Sequence, residues 1–197
     1  MGVEKRMADR CNTIRLYSFQ TDVVYQVLKR DGVCYSKEEY VRKKYKESAK
    51  VFINAYGWFV KEAQHIVPKP EGAEYPYWAF TDLYNVDQTG DGHVLTLDVP
   101  IGEAILFDMF DWTKIMQMHY IGENESEEAA FSEKLKNMGM NEFQIMTSNF
   151  YPEQKARIQE SWKRLFGHQQ AIEAGDNSGV HSVQAGLWCI KGEWIVK

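Results

Sequence analysis

The segment from Asp87 to Asp98, DQTGDGHVLTLD, comes closest to a metal-binding motif. Its carboxylates and Gly92 follow the spacing of a calcium-binding loop, with Thr89 as a weak further ligand. Asp98 takes the place of the long glutamate that usually closes such a loop. The flanking stretches WAFTDLYNV and VLTLDV are typical of strands, whereas this motif needs a helix on each side. A hairpin turn is therefore favoured over a calcium site.

The histidines and cysteines show no spacing typical of a transition-metal site. The five histidines contain no i, i+4 pair and no HExxH motif, and no cysteines stand at CxxC spacing. Phosphate-binding glycine loops and the GxSxG hydrolase turn are also missing. Cys11, Cys34 and Cys189 are odd in number and far apart, which favours reduced thiols in the cytoplasm over a disulfide. The sequence predicts no bound metal.

Two polar pairs are candidates for binding. Asp108 and Asp111 stand at the start of a predicted helix, where aspartate is favoured for capping and for the helix dipole, so a structural role is preferred. Gln184 and Trp188 are four residues apart in a predicted strand and therefore share one side of it. An amide beside a large aromatic ring could line a cleft.

The composition is that of one ordinary globular domain. The chain has 197 residues and 23.0 kDa, is 44% hydrophobic and 26% charged, and has a formal net charge of -5. A chain of this size buries a core without disulfides or metals, and its composition excludes collagen-like, disordered and disulfide-framework classes. No run approaches the roughly 20 apolar residues of a membrane helix, and the start, MGVEKRMADRC, lacks a secretory signal. We expect a cytoplasmic protein without membrane contact.

The charge is uneven along the chain. Residues 1–50 carry 12 Lys and Arg against 7 Asp and Glu, whereas the remainder carries 11 against 21. The basic residues concentrate at Arg42, Lys43, Lys44, Lys46 and Lys50. They could contact phosphates, or they form a solvated helix face. An overall pI of about 5.6 argues against dedicated duplex binding.

Hydrophobic periodicity predicts strands and helices in alternating groups. The stretch TIRLYSF predicts a first strand, followed by a helix that Thr21 caps and Gly32 ends. Tyr75–Asn85 and His93–Val99 are two central strands joined by DQTGDG as a hairpin. Helices follow, two of which are expected to begin at Asp111 and Ser126.

The chain closes with two strands across His181–Val196, hinged at Lys191 and Gly192. The whole order predicts an α+β fold, with a mainly antiparallel sheet and helices packed around it. No linker or internal repeat divides the chain. We expect a flexible N-terminus at residues 1–12 and one domain at residues 13–197.

Four further segments stand out along the chain: IRLYSFQTDVVYQVLKRDG, YPYWAF, VLTLDVPIGEAILFDMFDW and VQAGLWCIKGEWIVK. Together they resemble an uncharacterised family of bacterial and phage-borne domains of about this length. The resemblance covers most of the chain and supports a single domain. It implies no activity.

A more distant similarity is to the ADP-ribosyltransferase superfamily and rests on layout. There, a first strand with a polar or basic residue precedes a helix ending in glycine, as IRLYSF and VLKRDG do here, and a last strand bears a glutamate. The resemblance implies NAD as co-substrate, with Arg15 on its phosphates or ribose and Glu193 stabilising the oxocarbenium ion. It also implies that Tyr17 or Tyr77 stacks on the nicotinamide. Trp78 and Gln184 are further candidate cofactor-binding residues.

The chain also departs from that superfamily. It has no His-Gly-Thr-like turn and no Ser-Thr-Ser strand, and Lys191 stands where a companion glutamate or glutamine precedes the catalytic one. The enzyme hypothesis requires Arg15, Tyr17 and Glu193 to converge in one cleft.

A non-catalytic interaction module is the alternative function. Surplus aromatic residues at Tyr75, Tyr77 and Trp78 would form an exposed patch, and the basic face from Arg42 to Lys46 would add positive charge. Such a surface could bind a protein or nucleic-acid partner. This hypothesis requires the aromatic rings to lie on the surface.

Overall fold

A five-stranded antiparallel sheet lies at the centre of the computed structural model, which describes residues 12–45 and 49–196. Its order is β4-β1-β3-β6-β5. The strands are β1 (Thr13–Gln20), β3 (Tyr77–Phe80), β4 (His93–Pro100), β5 (Ile105–Asp108) and β6 (Val183–Leu187). A second, two-stranded sheet pairs β2 (Val33–Tyr35) with β7 (Cys189–Lys191).

Helices fill most of the rest of the described chain. They are α1 (Asp22–Asp31), α2 (Glu38–Tyr45), α3 (Ala49–Ala63), α4 (Met109–Met116), α5 (Glu125–Asn137), α6 (Glu142–Thr147), α7 (Pro152–Ser161) and α8 (Gln169–Glu173), together with short 3-10 turns. The fold is a single α+β domain with an antiparallel central sheet, which confirms the predicted class. Among the described residues, no helix combines the length and the apolar character needed to cross a membrane.

The strand register divides the central sheet into two faces. Tyr17 lies opposite Phe80, Phe80 opposite Gln184, and Gln184 opposite Phe107, and residues opposite one another point to the same side. We call this side the front face, and it carries Arg15, Tyr17, Trp78, Phe80, Asp98, Phe107 and Gln184. The other side, the back face, carries Leu16, Tyr77, Leu97, Leu106 and Ala185.

Apolar residues cover the back face. Leu28 of α1, Ile190 of β7 and Trp194 pack with Leu16 and its neighbours into one buried cluster, which we call the back cluster. Because β1 alternates exposed and buried residues, its apolar side must face this cluster. The back face is thus a closed hydrophobic core.

The front face is covered over only part of its width. Phe59 of α3 and Trp112 of α4 pack on Trp78 with ring centroids 5.1 and 4.8 Å away, so these helices lie over β3, β6 and β5. On β1, by contrast, Arg15 is exposed and Tyr17 is half-buried. The front face therefore has a covered half and an open half that meet near β3.

The hairpin predicted across DQTGDG is wrong, because β3 and β4 do not pair. Strand β1 lies between them in the sheet. Every residue of β1, from Thr13 to Gln20, has a partner in β4, which makes this the most extensive pairing of the sheet. A local turn signal could not reveal that a distant strand competes for the same edge.

The predicted hinge of the closing strands is also displaced. The chain changes sheets at Trp188, whose Nε1 donates a hydrogen bond to the carbonyl of Val67 at 2.7 Å. Burial of this indole turns the chain before Lys191 is reached. Residues Gly192–Trp194 form a 3-10 turn, so Glu193 does not lie on a strand.

The predicted helix starts need similar corrections, whereas one predicted end is confirmed. Asp108, not Asp111, caps α4, and Asn124, not Ser126, caps α5, each by accepting a backbone N–H bond. Gly32 ends α1 with φ of 74°, a left-handed conformation that favours glycine. The N-terminus predicted to be flexible, including Cys11, falls outside the described residues except for Asn12.

Candidate ligand-binding face of the sheet

The front face brings together Arg15, Tyr17, Trp78 and Gln184. Strands β1 and β6 are two steps apart, so the backbones of Tyr17 and Gln184 are separated by roughly 10 Å. This distance is within the span of a ligand the size of a dinucleotide. A cation, aromatic rings and an amide thus occupy one side of three neighbouring strands.

Arg15 is held by Asp98, which lies directly opposite it on β4. The guanidinium donates to both carboxylate oxygens, with Nη2 3.0 Å from Oδ2 and Nε also bonded to Oδ1. This hydrogen bond is the main cause that raises the pKa of Arg15 above its ordinary value, and desolvation acts against it. Because the Arg15 side chain is 51% exposed, its remaining N–H groups reach solvent, where an anionic group could accept them.

Trp78 stands at the border between the two halves of the front face. Its Nε1 donates to the Tyr56 hydroxyl at 2.9 Å, and the rings of Phe59 and Trp112 pack against it. These contacts fix the indole while leaving it half-buried. A fixed, partly accessible ring is suited to stacking on a planar ligand.

Two of the predicted site residues lie elsewhere. Tyr77 belongs to the back face, where its hydroxyl donates to Cys34 Sγ at 3.1 Å. Burial is the main cause that raises the pKa of Tyr77 above its usual range, and this hydrogen bond is the second cause. Adjacent residues of a strand point to opposite sides, so Tyr77 cannot share a face with Trp78.

Glu193 does not lie on the strand that the resemblance implies. It is exposed on the turn Gly192–Trp194, and the indole of Trp194 packs into the back cluster. The turn is therefore anchored on the back side, whereas Arg15 lies on the front. The carboxylate that does accompany Arg15 is Asp98.

The aromatic patch expected for an interaction module is not at the predicted residues. Tyr75 and Tyr77 are buried. Arg42 is exposed and paired with Glu38, whereas the side chains of Lys44, Lys46 and Lys50 lie outside the described ones. Tyr84, 92% exposed, lies instead on the turn after β3.

Asp108 is a buried carboxylate at the end of the sheet, and it has more hydrogen-bond partners than the sequence predicted. Asp108 accepts the backbone N–H groups of His181 and Phe110 at 3.0 Å, and its Oδ2 lies 2.8 Å from Nδ1 of His181. Burial acts to raise the pKa of Asp108, but these bonds and one from Ser182 outweigh it, so the pKa lies below its usual value. Sequence reasoning assigned only a cap, because its partners are more than 70 residues away.

His181 and Phe110 form an exposed pair above this carboxylate. Their ring centroids lie 4.9 Å apart, and the His181 side chain is 73% exposed. Strands β1 and β6 run in the same direction, so the start of β6 lies at the same end of the sheet as Arg15. Asn85 Nδ2 donates to Ser182 Oγ at 2.7 Å and ties the turn bearing Tyr84 to this end.

A separate open cavity of about 810 Å³ lies among α4, α5 and α6. Its wall includes Lys114, which bonds to Glu128 at 2.7 Å, and Glu142, which accepts the N–H of Tyr120. Burial raises the pKa of Glu142. Across residues 12–45 and 49–196, no three His, Cys, Asp or Glu side chains are placed to hold a metal ion.

Among protein families, one family model matches residues 15–196 of the chain. The chain belongs to the family described as a domain of unknown function, DUF3841. No curated protein and no solved structure matches this member of the family. Membership confirms the expected uncharacterised family and assigns no activity to the front face.

Proposed function

We propose that this domain binds NAD or a related ligand containing ADP-ribose across the front face of its sheet, in an ADP-ribosyltransferase-like arrangement. The observation that carries the proposal is that Arg15, Tyr17, Trp78 and Gln184 share this face. They supply what such a ligand needs, since a guanidinium binds phosphate and fixed rings stack on planar bases. The open half leaves Arg15 accessible.

Arg15 and Asp98 have opposite effects on an anionic ligand bound to the front face. A diphosphate would accept the free N–H groups of Arg15, while Asp98 keeps the guanidinium oriented. Asp98 also repels the incoming anion, which limits affinity. Because both side chains are exposed, affinity is expected to fall as salt rises.

Cleavage of NAD is the further step that the superfamily resemblance implies. It needs a carboxylate beside the ribose to stabilise positive charge. Glu193 lies on the turn Gly192–Trp194 and not on a strand of the front face, so the binding proposal does not depend on it. The catalytic role of Glu193 stays a prediction: loss of NAD turnover in Glu193→Gln with an unchanged melting temperature would support it.

A thermal-shift titration with NAD, ADP-ribose and ATP tests the binding proposal. A ligand that binds only the folded state stabilises it by about 2.7 kcal/mol at a hundredfold excess over its dissociation constant. We expect NAD and ADP-ribose to raise the melting temperature of the wild type and to raise that of Arg15→Gln much less. Arg42→Gln is the matched control, because Arg42 also forms an exposed ion pair but lies on α2. Absence of a shift with all three ligands would contradict the proposal.

A second candidate is an interaction module, favoured by the exposed rings at the end of the sheet. Tyr84, Phe110 and His181 are largely exposed there, and aromatic residues often dominate binding energy at interfaces. A protein or nucleic-acid partner captured by the wild type should be lost with the double variant Tyr84→Ser, Phe110→Ser. Retention of the partner by that variant would exclude this surface.

We propose a cytoplasmic location from the cysteines, and a bacterial or phage origin from the family resemblance alone. The thiols of Cys34 and Cys189 are free and buried, as expected in a reducing compartment. Burial raises the pKa of Cys189, which makes this thiol a poor nucleophile. These cysteines therefore serve the core in either case.

A further inference from the structure

The side chain of Gln184 is buried but unpaired. The residue is 4% exposed on β6, in the covered half of the front face, and its amide makes no hydrogen bond to any part of the chain that the structure describes. Among the described residues, no side-chain nitrogen or oxygen that is sealed from solvent lacks a partner. The amide nitrogen and oxygen of Gln184 therefore each keep a small area exposed to solvent.

The neighbours of Gln184 on the sheet do not explain an amide at this position. Phe80 lies opposite it on β3 and Phe107 opposite it on β5, and neither side chain offers a hydrogen bond. An amide surrounded by rings loses hydration that nothing in the described chain replaces. Leucine would fill the same space without this cost, so the fold alone gives no reason for glutamine.

The chemistry of the amide defines what could complete it. A glutamine side chain offers one acceptor oxygen beside a nitrogen with two donors. Its complement is a planar group with a donor beside an acceptor, such as a carboxamide or the edge of adenine, which glutamine reads in nucleic acids. The rings of Trp78 and Phe80 on the neighbouring strand suit a planar group of this kind.

We infer that Gln184 is a specificity-determining residue whose amide pairs with a donor–acceptor edge of the ligand on the front face. This inference rests on the proposed function. NAD carries two such edges, the nicotinamide carboxamide and the adenine. Pairing with either would select for an intact edge, whereas Arg15 recognises phosphate and tolerates any base.

Binding of the wild type and Gln184→Leu to three ligands tests the inference. Nicotinamide mononucleotide carries only the carboxamide, ADP-ribose carries only adenine, and NAD carries both. We expect Gln184→Leu to weaken NAD and one of the two smaller ligands about 10- to 100-fold, as for a lost hydrogen-bonded pair, while the other smaller ligand changes less than about threefold. The ligand that is weakened identifies the edge. Gln184→Met, which keeps the length of the side chain, should behave in the same way.

The outcomes separate this inference from the proposed function. Equal binding by the wild type and both Gln184 variants, together with weakening by Arg15→Gln, would overturn the inference and leave the proposed function standing. An equal loss of affinity for all three ligands would also overturn it, because Gln184 would then not pair with a particular edge. Absence of binding to the wild type would overturn both. A melting temperature of Gln184→Leu well below that of the wild type would show a structural amide and contradict the inference directly.

Discussion

Gln169 at the start of α8 and Gln184 on β6 are buried to a similar degree, yet among the described residues the amide of Gln169 is hydrogen-bonded and that of Gln184 is not. Gln169, 6% exposed, lies beside β5, the edge strand. Its Oε1 accepts the N–H of Leu106 and its Nε2 donates to the carbonyl of Ala104 at 3.1 Å, in place of a further strand. Gln184, 4% exposed on the front face, bonds to no described residue. One amide completes the fold and the other is available to something outside it.

The largest expected effect is that of Gln169→Leu on stability. The change leaves the N–H of Leu106 and the carbonyl of Ala104 without their partner at a covered edge. Each unsatisfied buried group costs about 1–3 kcal/mol, so for the two groups we expect a loss of about 2–6 kcal/mol in the free energy of unfolding. Urea denaturation measures it as a lower midpoint at constant slope. A loss below about 1 kcal/mol would show that solvent replaces the amide and would remove the contrast with Gln184.

Asp108→Asn sharpens the comparison, because Asp108 is a saturated polar group at the end of the face that holds Gln184. Its backbone bonds to His181 and Phe110 favour the charged carboxylate. We expect the variant to lose about 1–3 kcal/mol of unfolding free energy at pH 7. Since the folded-state pKa lies below the ordinary value of 3.8, this stability is present above about pH 4 and is lost as the pH falls through the folded-state value.

The matched control for that pH dependence is Asp111→Asn on the same helix. Burial is the main cause that raises the pKa of Asp111, although Lys114 partly opposes it. A raised carboxyl pKa means that the folded state disfavours the charged form, so stability falls as the pH rises through this range. Relative to the wild type, Asp111→Asn should therefore gain stability between low pH and pH 7, whereas Asp108→Asn should lose it. The same pH trend in both variants would contradict this assignment.

A smaller effect is expected when Gln184 itself is replaced. Gln184→Leu removes an amide that bonds to nothing described and adds apolar contact with Phe80 and Phe107. We expect the free energy of unfolding to stay the same or to rise by up to about 1 kcal/mol. Urea denaturation of Gln184→Leu and Gln169→Leu under the same conditions compares their free energies of unfolding. Equal losses in the two variants would mean that both amides serve the fold.

Sequence reasoning reached the local parts of this arrangement and missed the non-local ones. The period of a strand is enough to predict that Arg15 and Tyr17 share a face. The same period places Tyr77 and Trp78 on opposite faces, so grouping both in one site was a local error. Which of the last two joins Arg15 depends on the register between β1 and β3, and nothing local encodes it. The insertion of β1 between β3 and β4 is likewise decided by strands distant in sequence.

The same limit applies to the candidate site. Glu193 was expected on a strand, but burial of Trp188 moved the bend and left Glu193 on a turn. His181 and Ser182, which donate to Asp108, follow it by more than 70 residues, so only the tertiary fold reveals them. An unpaired amide has no sequence signal either, because the sequence pattern of a strand is the same whether the amide of its glutamine is hydrogen-bonded or not. Gln184 was selected from sequence only by its spacing to Trp188.

The smallest effect on stability is expected for Arg15→Gln, which acts at the open half of the face. Exposed ion pairs such as Arg15–Asp98 contribute little to stability. The melting temperature of Arg15→Gln should therefore match that of the wild type within error, and this match should hold at low and at high salt. The affinity for ADP-ribose, in contrast, should fall, and its salt dependence should weaken because one phosphate contact is gone. Arg42→Gln should leave both quantities unchanged. A clear loss of stability in Arg15→Gln alone would mean that the open half is held together by this pair, and the front face would then be a structural surface rather than a binding one.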